Sequence, residues 1–134
     1  MNTPLASRSA LIAIFDLELA RMVELALQSL GARTEICRCP RKTLQRAMGR
    51  EFDLLVLDEE LPSNDPVDTI HQLRAFEACR DLPLVLLSHG HVTTELLAAL
   101  RAGQDQLLRV PFGLQSLQAT VEFLAVEREE MPVV

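Results

Sequence analysis

The chain has 134 residues, 49 % of them hydrophobic, with 13 basic and 19 acidic side chains and a formal net charge of −6. That length suits one domain, and that apolar content excludes a disordered chain. The acidic balance leaves no broad basic field to displace counterions from a nucleic acid, so direct nucleic-acid binding is not expected.

Ala10 to Phe15 is a continuous apolar run that reads as a strand buried on both faces. Asp16 opens a helical pattern in which Leu19, Met22, Val23, Ala26, Leu27 and Leu30 recur at three- and four-residue spacing, and Gly31 supplies the stop. Arg33 to Cys39 alternates weakly, as an edge strand does. Pro40 to Met48 predicts a short basic helix closed by Gly49. Phe52 to Pro62 is the third strand, an apolar run that ends abruptly in Asp58, Glu59 and Glu60. After the loop Ser63-Asn64-Asp65, Pro66 is placed for a helix first turn, and Val67, Ile70, Leu73 and Phe76 are the inward positions. Leu84 to Leu87 is the fourth strand, ending at Ser88, and His89-Gly90-His91 is a loop. Thr93 or Thr94 caps a helix with Leu96, Leu97 and Leu100 inward, stopped at Gly103. Gln106 to Val110 is a fifth strand, cut off by Pro111. A last helix, about Leu114 to Arg128, buries Leu117, Val121 and Leu124.

Strand and helix alternate five times with short connections, and each helix serves as the crossover between parallel strands. The fold class that follows is a three-layer α/β domain spanning 1–134. Its core covers about 9–127, and flexible ends are expected at 1–8 and 129–134. With Tyr 0, Trp 0 and Phe 5, the core is aliphatic. The cysteines Cys37, Cys39 and Cys79 are odd in number and fit reduced thiols in a cytoplasmic protein. Met1 to Ser9 lacks the pattern of a signal peptide. No apolar run reaches the ~20 residues of a membrane span.

A strand that ends in a carboxylate delivers it to the carboxyl edge of the sheet, where open α/β folds place their ligands. Around Asp58, Leu57-Asp58-Glu59-Glu60-Leu61-Pro62 resembles the Asp-x-x-Met/Leu-Pro of response-regulator receiver domains, the phospho-accepting modules of two-component signalling. Ser88 matches the Thr/Ser that ends the family's fourth strand. Ala102 to Phe112 resembles Ala-Gly-Ala-Asp-Asp-Tyr-Leu-x-Lys-Pro-Phe without a gap. The resemblance covers roughly Ser9 to Glu127. It implies a flavodoxin-like (βα)5 fold with strand order 2-1-3-4-5, Asp58 at the phosphoacceptor position, and a cis Val110–Pro111 bond. It implies a signalling module rather than an enzyme.

The departures weigh as much as the matches. Counted without a gap, the family's Mg²⁺-holding acids fall on Ile14 and Phe15, and Asp16 lies one residue later. A one-residue shift would bring Asp16 into use beside Asp58 and the Glu60 carbonyl, a thin remainder for an ion that favours an octahedral oxygen shell. The family's lysine falls on Val110, next to Pro111, its switch aromatic on Leu107, and its usual glycine on Pro66. Phosphoryl transfer depends on positioning and charge neutralisation, so this chain is expected to be an atypical receiver without a resident metal or cofactor.

Blander readings stand beside several of these residues. Asp58 could cap the following turn, and Ser88 could bond local backbone. Glu59 and Glu60 read as a solvated acidic rim, and His89 and His91 as exposed loop residues. Cys37 and Cys39 share one face of a strand. Arg38, Arg41, Lys42, Arg46 and Arg50 make a basic stretch around the second helix. Arg109, alternating with Val110, faces away from the pocket, on the surface with Leu107 that the family commonly uses for dimers or partners. The leading expectation is a phosphorylation-independent module that binds a protein partner or a second copy through the fourth helix, fifth strand and fifth helix. The alternative is a slow phosphoacceptor served by a histidine kinase or phosphotransfer protein, with Mg²⁺ only in that case. A flavodoxin-like cofactor binder is disfavoured, because Phe15-Asp16-Leu17-Glu18 is acidic and bulky where a phosphate cradle needs glycines.

Overall fold

A computed structural model describes residues 4–49, 52–62 and 65–130. Five strands form one parallel sheet: β1 Ser9–Ala13, β2 Arg33–Cys37, β3 Leu54–Asp58, β4 Leu84–Ser88 and β5 Asp105–Arg109, in the order β2-β1-β3-β4-β5. Five helices connect and follow them: α1 Leu17–Ser29, α2 Pro40–Ala47, α3 Pro66–Ala75, α4 Thr94–Ala99 and α5 Leu114–Glu130. This is the flavodoxin-like order expected from the sequence, and β2 is the predicted edge strand. A 3₁₀ turn, Glu77–Cys79, precedes β4 and carries no signal in the sequence.

The strands of the sheet's centre read as solid apolar runs because both faces are covered. Ala10, Ile12, Leu54, Val56, Val85 and Leu87 pack with α1 and α5, through Val23, Leu27, Leu117, Val121 and Leu124. Leu11, Ala13, Leu55, Leu57, Leu84 and Leu86 pack on the other side with Ile70, Leu73 and Leu96. Each such side chain contributes about 1.5–3 kcal/mol on burial. Helix starts are set locally. Asp16 and Asp65 cap α1 and α3 with their carboxylates, Thr93 caps α4 with its hydroxyl, and Pro40 and Pro66 sit in first turns. Gly31, at φ +97°, ends α1 in the left-handed conformation and donates its N–H to Gln28 O at 2.9 Å.

Several expectations are corrected. Phe76 is not inward: α3 stops at Ala75, and Phe76 is 42 % exposed in the extended conformation. On α4 only Leu96 is buried, while Leu97 is 54 % exposed and Leu100 half-buried, because the helix ends at Ala99 rather than running to Gly103. Leu5, in the stretch expected to be loose, is buried and donates its N–H to Leu30 O at 2.9 Å. α5 continues to Glu130, and the remainder of the expected tail lies outside the described residues, as do Ser63, Asn64 and Arg50. Among the described residues no helix is long and apolar enough to cross a membrane.

Register places the site. Asp58 pairs with Leu87, and Ser88 with Arg109, so β3 and β4 end side by side at one edge of the sheet. The residue that follows β4 is therefore carried directly past the carboxylate that ends β3.

Candidate functional site

Asp58 is delivered to the carboxyl edge as predicted, and it is 3 % exposed. A carboxylate that buried needs donors or a cation. Its Oδ1 accepts the Glu60 N–H at 2.9 Å, an Asx-type turn that fixes the chain after β3. The same oxygen lies 2.8 Å from His89 Nε2. The other ring nitrogen, Nδ1, lies 2.9 Å from Glu60 Oε1. The ring thus lies between two carboxyl groups, one at each nitrogen. The backbone extends the contact: His89 N–H donates to Glu59 Oε2 at 3.1 Å. Ser88 is fully buried, and its Oγ accepts the Gly90 N–H at 3.2 Å. Gly90, at φ +106°, supplies the left-handed turn that lets the chain leave the site toward α4.

This arrangement corrects the reading of Glu59 as part of a solvated rim and of His89 as a loop residue in water. Glu59 is buried, at 9 % exposure, and its Oε1 finds no hydrogen-bond partner. Glu60 is exposed but clasps the histidine. His89 keeps only 23 % of its side chain exposed. The sequence placed His89 at the correct edge of the sheet. It could not show that the ring turns onto Asp58, because the two residues are 31 apart in the chain. The usable signal was a histidine immediately after the fourth strand, beside a strand ending in three acids.

The pocket positions at 14 to 16 and 110 are disposed differently from a metal shell. Ile14 is fully buried in the core on the α1 and α5 side. Phe15 points outward, 49 % exposed, with the Arg38 guanidinium 4.6 Å above its ring and Arg38 Nε donating to its carbonyl at 2.7 Å. Asp16 makes no one-residue shift: its Oδ1 accepts from the N–H groups of Glu18 and Leu19 at 2.9 and 3.4 Å and so belongs to α1. Val110 packs against the same core as Ile14, its N–H bonds Ser88 O at 2.8 Å, and its bond to Pro111 is cis as expected. These residues do not fit the family's Mg²⁺. One expected position is core, one is aromatic, the nearest acid is a helix cap, and Asp58 Oδ1 already holds two donors. Among the described residues no group of three or more His, Cys, Asp or Glu side chains is placed to hold a metal ion. Asp16→Ala is expected to cost about 1 kcal/mol through loss of the cap. Urea unfolding would show it, with the amide resonances around Asp58 unmoved.

The remaining candidates scatter. Cys37 ends β2 and is buried, and burial, with the Glu35 carboxylate adding, pushes its thiol up. Cys39 is half-buried at the N-cap of α2, while Cys79 is buried, pushed up by burial, and donates to Ala47 O at 3.3 Å. Thiols held up in this way are poor nucleophiles. His91 is exposed. Within the basic stretch, Arg46 forms a two-pronged pair with Glu35 at 2.6 and 2.8 Å, which holds that carboxyl below its ordinary range. Arg109 is exposed, and Leu107 is half-buried against the α3 and α4 side of the sheet.

The match with known proteins follows this geometry. The model of the response regulator receiver domain matches residues 16–122. The chain belongs to that family. Among curated relatives of this receiver, the KDP operon transcriptional regulatory protein KdpE of Escherichia coli is 33 % identical over 111 residues, 83 % of this chain and 48 % of that protein. The transcriptional regulatory protein PrrA of Mycobacterium tuberculosis is 30 % identical over 128 residues, 96 % of this chain and 54 % of that protein. The receiver thus spans about half the length of these relatives. In fold it resembles the receiver domain of the sensor histidine kinase PA1611 from Pseudomonas aeruginosa, at TM-score 0.78 and 22 % identity over 89 % of this chain and 98 % of that one. That structure has a magnesium ion coordinated in its active-site cleft. The chemotaxis response regulator CheY4 of Vibrio cholerae gives TM-score 0.78 at 20 % identity, over 87 % of this chain and 98 % of that one.

Proposed function

We propose that this receiver is an atypical, non-catalytic interaction module of two-component signalling whose output does not wait on Mg²⁺-dependent transfer of a phosphoryl group to Asp58. The observation that carries the reading is Ile14: the position where an acid would hold the ion is sealed in the hydrophobic core. Val110, apolar and packed, stands where a lysine would neutralise the phosphoryl group. Phosphoryl transfer is electrostatic positioning, and both suppliers of positive charge are missing. The surface of α4, β5 and α5 suits a protein partner or a second copy, since each of these elements carries an exposed side chain of contact size: Leu97, Arg109 and Phe123. A histidine kinase or phosphotransfer protein is a candidate partner, and a cytoplasmic setting fits such traffic.

A slow phosphoacceptor is the second reading, favoured by the survival of Asp58 and Ser88 on adjacent strand ends. Acetyl phosphate with Mg²⁺ separates the two. The expected intact mass is unchanged, in the parent and in Asp58→Asn alike. A gain of one phosphoryl group that Asp58→Asn abolishes would establish the second reading instead.

A further inference from the structure

Ile14 and Val110 at the family's acid and lysine positions leave a physical question: what partners Asp58, a carboxylate with 4 % of its side chain exposed? Unpaired, such a charge would be costly to bury. The groups around it are few. From the turn after β3 come Glu59 and Glu60, both acids, and from β4 come Ser88 and His89. Ile14 and Val110, at the family's acid and lysine positions, are apolar and packed into the core on the α1 and α5 side. Among the described residues, the side chain that reaches the Asp58 carboxylate is His89, at 2.8 Å.

We infer that His89 is the built-in partner of the Asp58 pocket: its ring, carried from the end of β4 onto the carboxylate, fills from within the chain the place that the family gives to a metal ion and a lysine. The inference rests on the reading of the receiver as independent of phosphoryl transfer. It adds the reason that the Asp58 carboxylate is retained. Asp58 and Glu60 grip the ring from opposite nitrogens, and Glu59 Oε2 holds the backbone N–H of the same residue. Three acids of one turn thus converge on one residue of the neighbouring loop. The Ser88 hydroxyl is engaged within that loop by Gly90 N–H. The loop leads within a few residues to Thr93, the cap of α4. His89 is accordingly a positioning residue. It pins the loop after β4, and with it the start of α4 on the proposed partner surface, without any covalent modification.

The test is a double-mutant cycle on the full chain, comparing the parent, Asp58→Asn, His89→Gln and the double variant by urea unfolding. Both substitutions are near-isosteric and alter the contact between the two side chains. Each single change is expected to raise the unfolding equilibrium constant about tenfold, and the double change no more than the larger single one. Amide exchange supplies a readout that general destabilisation would not give. His89→Gln is expected to speed exchange in residues 89–96 about a hundredfold under native conditions, against the roughly tenfold that the global loss gives β1 and α5. Multiplying rather than overlapping effects, or exchange accelerated equally throughout, would overturn the inference. The acetyl phosphate experiment stands apart from it. Phosphorylation of the parent would sink the functional reading, whereas independent effects in the cycle would sink only the role of His89.

Discussion

Arg74→Ala is expected to lower the stability of the receiver by about 3–5 kcal/mol, the cost of removing one partner of a buried ion pair. The guanidinium is 11 % exposed, and its partner Asp105, at the start of β5, has no exposed side-chain surface. Nη2 donates to Asp105 Oδ1, while Nη1 donates to the carbonyls of Cys79 and Leu82 at 2.8 Å and of Arg80 at 3.2 Å. Asp105 is committed on its other side as well, since its Oδ2 accepts the Arg101 N–H at 2.8 Å. One side chain from α3 thereby organises the whole connection into β4 and fastens it to β5. Its removal strands Asp105 Oδ1 in the interior and takes one donor from each of three carbonyls, which keep the Leu82 N–H, Arg101 and Gln104 as their other donors. Arg74→Met with Asp105→Leu is expected to recover part of the loss, because apolar groups of similar size need no compensation. Urea unfolding measures both. A loss under about 1 kcal/mol for Arg74→Ala would mean that the pair is screened by water as surface pairs are. The contact lies away from the Asp58 pocket, so the amide resonances of residues 58–60 and 88–90 are expected to stay in place under native conditions.

Arg74 and Asp105 show where sequence reading stopped. Asp105 stood out only as a letter in a family motif, and nothing in a separation of 31 residues announces a pair. What could be read was periodic or covalently local. Five apolar runs alternating with helical patterns fixed the strands, their parallel sense and the layers. Capping acids and prolines fixed where helices begin. The errors fell where periodicity is too short to choose a face. α4 has 6 residues, and its leucines at 96, 97 and 100 could not all turn inward. Phe76 followed the spacing of α3 but sits past its end, where the chain is extended. At the site, the positions lost from the family pattern were legible because they are substitutions at fixed spacing. The replacement was not legible, because His89 reaches Asp58 across strands, and only the register of β3 against β4 brings them together.

The same distinction governs whether the pocket can be turned back. Ile14→Asp, which restores an acid at the family's position, is expected to leave the receiver unfolded, whereas Phe15→Asp is expected to change stability by no more than about 1 kcal/mol. Phe15 is half in water, and its replacement gives up little beyond the Arg38 contact over its ring. Ile14 is fully buried, packed on the α1 and α5 side of the sheet, with its N–H bonded to Cys37 O at 3.2 Å. Losing its side chain alone costs about 2–5 kcal/mol, as large-to-small changes in cores do. Seating a carboxylate there adds the cost of an unpaired buried charge, and the sum meets the total stability of about 5–15 kcal/mol typical of such domains. Circular dichroism of the two variants decides the matter. Cooperative unfolding of Ile14→Asp at a midpoint near the parent's would show that residue 14 still opens onto the Asp58 pocket and that the acid shell is one substitution away. Loss of the folded signal, with Phe15→Asp intact, would show that the wall of the pocket has become core. Regaining the metal shell would then require a first step through an unfolded chain, which leaves His89 as the partner this architecture keeps beside Asp58.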